Sequence, residues 1–158
     1  MSKQNHYNGR AGQLAVMAEF LIRGYNVAIP EVDVGDDIFV VSDISGEYSR
    51  VQVKTTLAKP TKYGYSARYF IRLTQLETQT FPETWYVFSN RVLDEWSSFF
   101  VISRQDLYKL YQVHELGSLS KRGIVSLYFS YSEDEVICSG QDLSQYLNNW
   151  TSWPLLSH

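Results

Sequence analysis

The pattern of apolar and polar positions divides the chain into a helical first segment and a series of short strands. Apolar residues recur at helical spacing in residues 11–23, which predicts an amphipathic helix. Its apolar stripe would consist of Leu14, Ala15, Ala18, Leu21 and Ile22. Glu19 falls at the edge of that stripe, where a glutamate is either a solvated flank residue or leans over a sheet into a site. Gly24 follows the last periodic residue and is expected to end the helix.

Short apolar runs and alternating segments after this helix predict strands. We expect them at residues 25–30, 38–41, 50–55, 69–73, 85–89, 99–102 and 124–131. Pro60 and Gly64 predict a loop over residues 57–66. Residues 74–81 are expected to form a short helix or a turn that stops before Pro82.

Two more helices are predicted in the second half of the chain. Ser103 is placed to cap a helix that runs to Tyr111, and residues 141–148 carry leucines on one side of a short helix. Four apolar residues are expected to anchor the C-terminal segment to the core: Trp150, Trp153, Leu155 and Leu156. Together these elements predict an α/β fold in one domain, residues 1–158, with the N-terminal helix packed on a central mixed sheet and further strands and helices around it.

The composition is that of a soluble globular domain, with 44% hydrophobic and 20% charged residues in 158. Cys138 is the only cysteine, so an internal disulfide is excluded. No apolar signal segment opens the sequence and no window reaches the roughly 18 apolar residues of a membrane span, so we expect a cytoplasmic location without a membrane partner. Neither zinc-ligand spacing nor a phosphate-binding glycine motif occurs.

The charges are unevenly distributed although the net charge is only −3. No acidic residue lies between Tyr48 and Leu76, while six basic residues do: Arg50, Lys54, Lys59, Lys62, Arg68 and Arg72. In residues 57–66 these alternate with tyrosines, an arrangement that suits a nucleic-acid backbone. A solvated basic hairpin and a phosphate-facing hairpin both account for this distribution.

Residues 36–56 contain the strongest candidate for a chemical site. They read as two strands joined by a turn, and the two-residue period of a strand puts Gln52 and Lys54 on one face. A hairpin would bring Asp37 to the same end. A carboxylate, an amide oxygen and an ammonium group that converge suit a hard metal ion bound to a phosphate. We therefore predict that Asp37 and Gln52 bind Mg²⁺, with Mn²⁺ able to substitute.

The order of these features resembles the PD-(D/E)xK nuclease superfamily, in particular its small members with a QxK ending, which include restriction-like and homing endonucleases and DUF4365-like domains. Four segments between residues 9 and 56 carry the resemblance: the helix with Gly12 and Ala18-Glu19, then Gly24-Tyr25-Asn26-Val27, Gly35-Asp36-Asp37-Ile38 and Val51-Gln52-Val53-Lys54-Thr55. It implies a restriction-endonuclease-like core and four catalytic positions: Glu19, Asp37, Gln52 and Lys54.

The sequence departs from the family pattern at two positions. Gly35-Asp36, not a proline, precedes Asp37, and Gln52 stands where a carboxylate is usual. An amide brings no negative charge, so it should bind the metal more weakly than a glutamate would.

The resemblance implies a Mg²⁺-dependent endonuclease that cleaves duplex or branched DNA. Because cutting both strands of a duplex needs two sites, a homodimer or higher homo-oligomer is expected. The predicted substrate-binding residues are Arg50, Lys59, Lys62, Arg68 and Arg72. The alternative is a catalytically inactive copy of the fold that binds nucleic acid or a protein partner.

Overall fold

The computed structural model describes residues 3–32 and 35–153. The first described element is the helix α1 (Lys3–Ile22). The buried residues of α1 recur every fourth position, at Gly12, Val16 and Phe20. The predicted stripe was therefore wrong: three of its members, Leu14, Leu21 and Ile22, are at least half exposed. Apolar residues occur on more than one side of α1, so the periodicity alone did not identify the buried face. Gly12 decides it, because a Cβ there would overlap the Thr55 side chain.

The described elements after α1 are mostly strands, with two short helices among them. In chain order they are β1 (Asn26–Ala28), β2 (Ile38–Val41), β3 (Tyr48–Leu57), β4 (Lys59–Thr61), β5 (Gly64–Arg72), α2 (Leu73–Glu77), β6 (Thr84–Val92), β7 (Glu95–Trp96), β8 (Phe100–Ser103), α3 (Arg104–His114), β9 (Ser118–Leu119), β10 (Ile124–Ser132), β11 (Glu135–Cys138) and β12 (Gln141–Asp142). Across the described residues, every helix is too short or too polar to span a membrane.

The first sheet is mixed and positions the candidate site. Its order is β1-β2-β3-β6-β7, with β8 also paired to β6. The central strands β3 and β6 are parallel, whereas β2 and β3 form an antiparallel hairpin with Ile38 opposite Val51. This register places Asp37 beside β3, where its N–H donates to the Val51 carbonyl oxygen at 2.8 Å.

The second sheet is antiparallel, in the order β12-β11-β10-β5-β4, with β9 also on β10. Two predictions for this region were wrong. Residues 57–66 are not a loop: β4 pairs with the start of β5, and Pro60 is tolerated because β4 is an edge strand. Residues 141–148 are not a helix but β12 followed by a 3₁₀ turn, Ser144–Tyr146. The Asp142 carboxylate accepts from the Ser144 N–H, a local bond that competes with helix formation.

Two apolar clusters hold the layers together. One lies between the two sheets and is dominated by aromatic rings; Phe129 contacts Tyr69, Phe88, Phe100 and Tyr131. The other lies between α1 and the first sheet and is closed by the C-terminal tryptophans. The ring centroid of Phe20 is 5.2 Å from that of Trp150 and 4.6 Å from that of Trp153.

The predicted α/β fold, an N-terminal helix on a central mixed sheet with additional strands and helices, is confirmed. The Ser103 cap is confirmed as well, since its hydroxyl accepts from the Asp106 N–H at 3.0 Å, and α3 continues to His114. Trp150 and Trp153 are buried, as predicted, while Leu155 and Leu156 lie outside the described residues. The single domain stays a prediction.

Candidate functional site

The two aspartates before β2 have different partners. Asp36 is buried and accepts hydrogen bonds from Arg50 Nε at 2.9 Å and Nη2 at 2.5 Å. These bonds raise the pKa of the Arg50 guanidinium above its ordinary value. Asp37 instead turns towards β3, where its Oδ2 accepts from Gln52 Nε2 at 2.8 Å and from the Val53 N–H at 2.7 Å. Asp36 thus belongs to an ion pair, and Asp37 is held at the strand end where the sequence analysis places the metal ligand.

Gln52 is 8% exposed and lies between two polar neighbours. Its amide nitrogen faces Asp37, and its Oε1 lies 3.4 Å from the Nε2 of Gln75, on α2. We expected the amide oxygen to face Asp37, and the structure shows the opposite orientation. The reason is chemical: an ionised carboxylate oxygen only accepts hydrogen bonds, so it faces the N–H end of an amide rather than its oxygen.

A cleft of about 550 Å³ opens beside Asp37, between the first half of α1, β3 and β5. The half-buried Lys54 lines it together with Asp37. Two arginines also line the cleft, Arg10 from α1 and Arg68 from β5, and Asp37 is the only carboxylate among the described lining residues. Three cationic side chains against one carboxylate give the cleft a positive potential, which favours an anionic ligand.

The α1 side chain beside Asp37 is Gln13, which the sequence analysis missed. Its Nε2 donates to the Asp37 carbonyl oxygen at 2.5 Å, and its Oε1 accepts from Arg10 Nη1 at 2.7 Å. The available clue was its neighbour Gly12, because a glycine within a helical pattern marks a close approach to another element.

Glu19 lies two turns further along α1, and it is not among the described residues that line the cleft. Its carboxylate forms an ion pair with Arg23 at 2.6 Å, and the Arg23 guanidinium lies 4.6 Å from the centroid of the Trp150 ring. The structure therefore does not bring Glu19 to the cleft, since the local i,i+4 pair holds this carboxylate beside Arg23, and the catalytic role of Glu19 stays a prediction.

The predicted substrate-binding residues are dispersed over the surface. Arg68 lines the cleft, whereas Arg50 is bound to Asp36. Lys59 and Lys62 are exposed on β4 and in the turn after it, and Arg72 is exposed at the end of β5. The structure thus brings Arg68 to the cleft and leaves the two lysines and Arg72 outside it.

The outward face of β5 continues from the cleft. The alternation along this strand exposes Arg68, Phe70 and Arg72. Arg68 donates from Nε to the Ser126 hydroxyl at 2.7 Å, and its guanidinium lies 5.3 Å from the centroid of the Phe70 ring. Phe70 is 55% exposed and Tyr128, on the adjacent strand, 56%. A cationic and aromatic surface of this kind can contact both phosphates and bases.

The donor set at Asp37 fits Mg²⁺. Among the described residues no group of three or more His, Cys, Asp or Glu side chains could hold a metal ion. Mg²⁺ needs fewer, because one or two carboxylates suffice when water and substrate oxygens complete the shell. In an octahedron with Mg–O distances of about 2.1 Å, adjacent ligands lie roughly 3 Å apart. Asp37 Oδ2 lies 2.8 Å from Gln52 Nε2, which matches the separation of two adjacent ligands. The Gln52 amide must rotate by half a turn to place its oxygen at that position.

Comparisons with known proteins support the fold. No protein-family model and no curated protein matches this sequence. The chain is similar in structure to a bacterial homing endonuclease, I-Ssp6803I, with a TM-score of 0.55 and 19% sequence identity over 92% of this chain and 89% of that one. At this identity the similarity shows that the two chains share a fold, a nuclease-like core with a curled mixed sheet.

Proposed function

We propose that this protein is a Mg²⁺-dependent DNA endonuclease of the PD-(D/E)xK type. One observation carries the proposal: Asp37 Oδ2 lies 2.8 Å from the Gln52 amide, at the wall of a positively charged cleft that Lys54 also lines. A fold shared with a homing endonuclease supports the choice of DNA as substrate.

Each residue of the site has a role that its position allows. Asp37 and Gln52 would hold the metal ion. When bound there, the ion would neutralise charge on the phosphodiester and lower the pKa of an attacking water. Lys54 would orient or help deprotonate that water and stabilise negative charge on the phosphate as it develops. Gln13 would fix the backbone of Asp37 through its hydrogen bond to the carbonyl oxygen.

The substrate would enter along the cationic wall of the cleft. Arg10 and Arg68 would bind phosphates next to the site, and the outward face of β5 would extend the contact to Phe70 and Arg72. Lys59 and Lys62 would reach flanking phosphates from β4 and its turn. A second copy of the chain would supply the second site needed for a double-strand cut, so the proposal includes a homodimer or higher homo-oligomer.

Cleavage of supercoiled plasmid tests this function. We expect nicking with Mg²⁺ or Mn²⁺ and none with excess chelator. Asp37→Asn and Lys54→Ala should each lower the rate by about 10²-fold or more, since each removes a group that acts on the reacting phosphate. Asp94→Asn and Lys109→Ala, at exposed positions on the β6–β7 turn and on α3, are the matched controls and should cleave normally. Nicking that persists in Lys54→Ala would overturn the role of Lys54.

The neutral Gln52 favours one alternative, an inactive copy of the fold that binds DNA. In that case the wild-type chain would retard duplex, branched or single-stranded DNA in a gel and would cleave none of them with either metal. Gln52→Glu separates the two functions, because a second carboxylate should restore metal binding to a weak site. Cleavage that appears only in Gln52→Glu would identify the natural chain as a binding module.

A further inference from the structure

The Gln52 amide has a second neighbour on the side away from the cleft. The Nε2 of Gln75 lies 3.4 Å from Gln52 Oε1. Gln75 is half-buried on α2 beside Leu76, which is fully buried, so the helix is anchored to the core. Its amide also lies against the turn at Gly35, where an added Cβ would be 3.5 Å from Nε2. The side chain is thus held behind Gln52, in a polar cavity of about 220 Å³ that the two glutamines share with Arg50.

The two neighbours of Gln52 impose different conditions on its amide. A carboxylate only accepts hydrogen bonds, so a hydrogen bond to Asp37 requires the nitrogen end of the Gln52 amide. A primary amide donates at one end and accepts at the other, so Gln75 can pair with either end of Gln52 if it rotates. In the structure Gln75 donates, which is the orientation that matches a Gln52 nitrogen turned to Asp37.

We propose that Gln75 is a positioning residue that sets which end of the Gln52 amide faces Asp37. As far as it concerns metal binding, this inference rests on the proposed function. For Gln52 to present its oxygen to a cation, its nitrogen must turn to Gln75, and Gln75 must then turn its own oxygen to receive it. The two amides therefore rotate as a pair. The fraction of molecules with both amides rotated scales the apparent affinity of the site for the cation.

Two substitutions at position 75 should favour opposite orientations of the Gln52 amide. Gln75→Glu presents only acceptors and competes with Asp37 for the Gln52 nitrogen, whereas Gln75→Lys presents only donors and keeps that nitrogen on Asp37. Both also change the charge near the site. Thr74→Glu and Thr74→Lys are the matched controls, because Thr74 lies one residue earlier on α2, lines the same cavity and is exposed.

Mg²⁺ titration by calorimetry measures the first consequence. Gln75→Glu should lower the dissociation constant by about five- to tenfold beyond the change in Thr74→Glu, the effect of one hydrogen bond that no longer opposes the rotated state. Gln75→Lys should raise it by a similar factor beyond Thr74→Lys. Equal affinities in each pair of matched variants would overturn the positioning role.

Nuclear magnetic resonance on the metal-free full chain gives a readout that needs neither metal nor activity. The Gln52 side-chain NH₂ and the Val53 N–H donate to the same oxygen, Asp37 Oδ2, so their protons lie close together and should show an Overhauser contact. Its assignment is checked by its loss in Gln52→Ala. We expect the contact to persist in Gln75→Lys and to weaken in Gln75→Glu.

The two measurements separate the two proposals. An Overhauser contact that stays unchanged in Gln75→Glu would overturn the positioning role, whatever the metal affinity. A contact that weakens in Gln75→Glu while no variant binds Mg²⁺ would support the positioning role and overturn the metal site.

Discussion

The two sheets use polar residues differently. On the first sheet the buried polar side chains lie within strands and bond to neighbouring strands, loops, helices or the second sheet; they include Gln52, Thr84, Ser89, Asn90 and Ser103. On the second sheet β5 and β10 keep a regular alternation, with apolar side chains inward and Arg68, Phe70, Arg72 and Tyr128 outward. On the second sheet, the side chains that stabilise the fold are therefore different from the side chains that are exposed to a ligand. On the first sheet Gln52, the proposed metal ligand, is itself part of the buried polar network.

The largest expected effect concerns the apolar side of the second sheet. Phe129→Ala removes a fully buried ring that contacts four others, and we expect a loss of about 3–5 kcal/mol in the free energy of unfolding, from lost burial and the cavity left behind. Urea denaturation measures it. Phe129→Leu should cost less, and its folded fraction should cleave plasmid at the wild-type rate. A loss of less than about 1 kcal/mol in Phe129→Ala would contradict the stabilising role of the apolar side of the second sheet.

The next effect concerns the contact between α1 and the first sheet. Gly12→Ala places a Cβ against the Thr55 side chain, and this overpacking should cost about 1–3 kcal/mol. Gly9→Ala is the matched control in the same helix, with no atom within 4 Å of the added Cβ. It should stabilise the protein by up to about 1 kcal/mol, since alanine favours helix. Thermal unfolding of the two variants side by side gives both values, and equal midpoints would contradict the close approach.

A pair of arginines compares the two sheets directly. Arg50→Ala leaves the buried Asp36 carboxylate without its guanidinium and should cost about 1–3 kcal/mol of stability. Arg72→Ala, on the exposed face of β5, should change stability by no more than about 0.5 kcal/mol. It should instead weaken DNA binding and reduce the slope of log affinity against log salt by about 1. A large loss of stability in Arg72→Ala would show that this face is structural.

The smallest effect is chemical. Burial raises the pKa of the Cys138 thiol above its ordinary value, so at any given pH the native protein holds less thiolate than a free cysteine does. A thiol reagent should react slowly at pH 8, and the midpoint of its rate against pH should lie above that of the urea-unfolded chain. Equal midpoints in the native and unfolded chains would show that Cys138 is accessible.

The elements with a strong local signal were the easier part to predict from the sequence. Residues 124–131 alternate in hydrophobicity and form β10, and Ser103 caps α3 as a serine before an apolar run should. Both signals are local. The segments 57–66 and 141–148 failed because proline at a sheet edge and a side-chain bond at Asp142 overrode the local preference.

Around the site, sequence order alone was less informative. The hairpin register brought Asp37 to Gln52, as the spacing indicated. Gln13 and Glu19 flank the buried stripe of α1 on opposite sides, and only the crossing point at Gly12 shows which of them reaches the strand end. No sequence pattern indicated Gln75, because its contact with Gln52 joins residues 23 positions apart and depends on the packing of α2.

The closure of α1 by Trp150 and Trp153 has a consequence for synthesis on the ribosome. The segments that carry Asp37, Gln52 and Lys54 are made early, but the cover of the apolar face of α1 is completed only when the tryptophans about 95 positions later emerge. At roughly 5–20 residues per second this interval lasts about 5–20 s. During that time Phe20 has no tryptophan to pack against. A chaperone that binds exposed aromatic segments would therefore find one on α1 until residues 150–153 emerge.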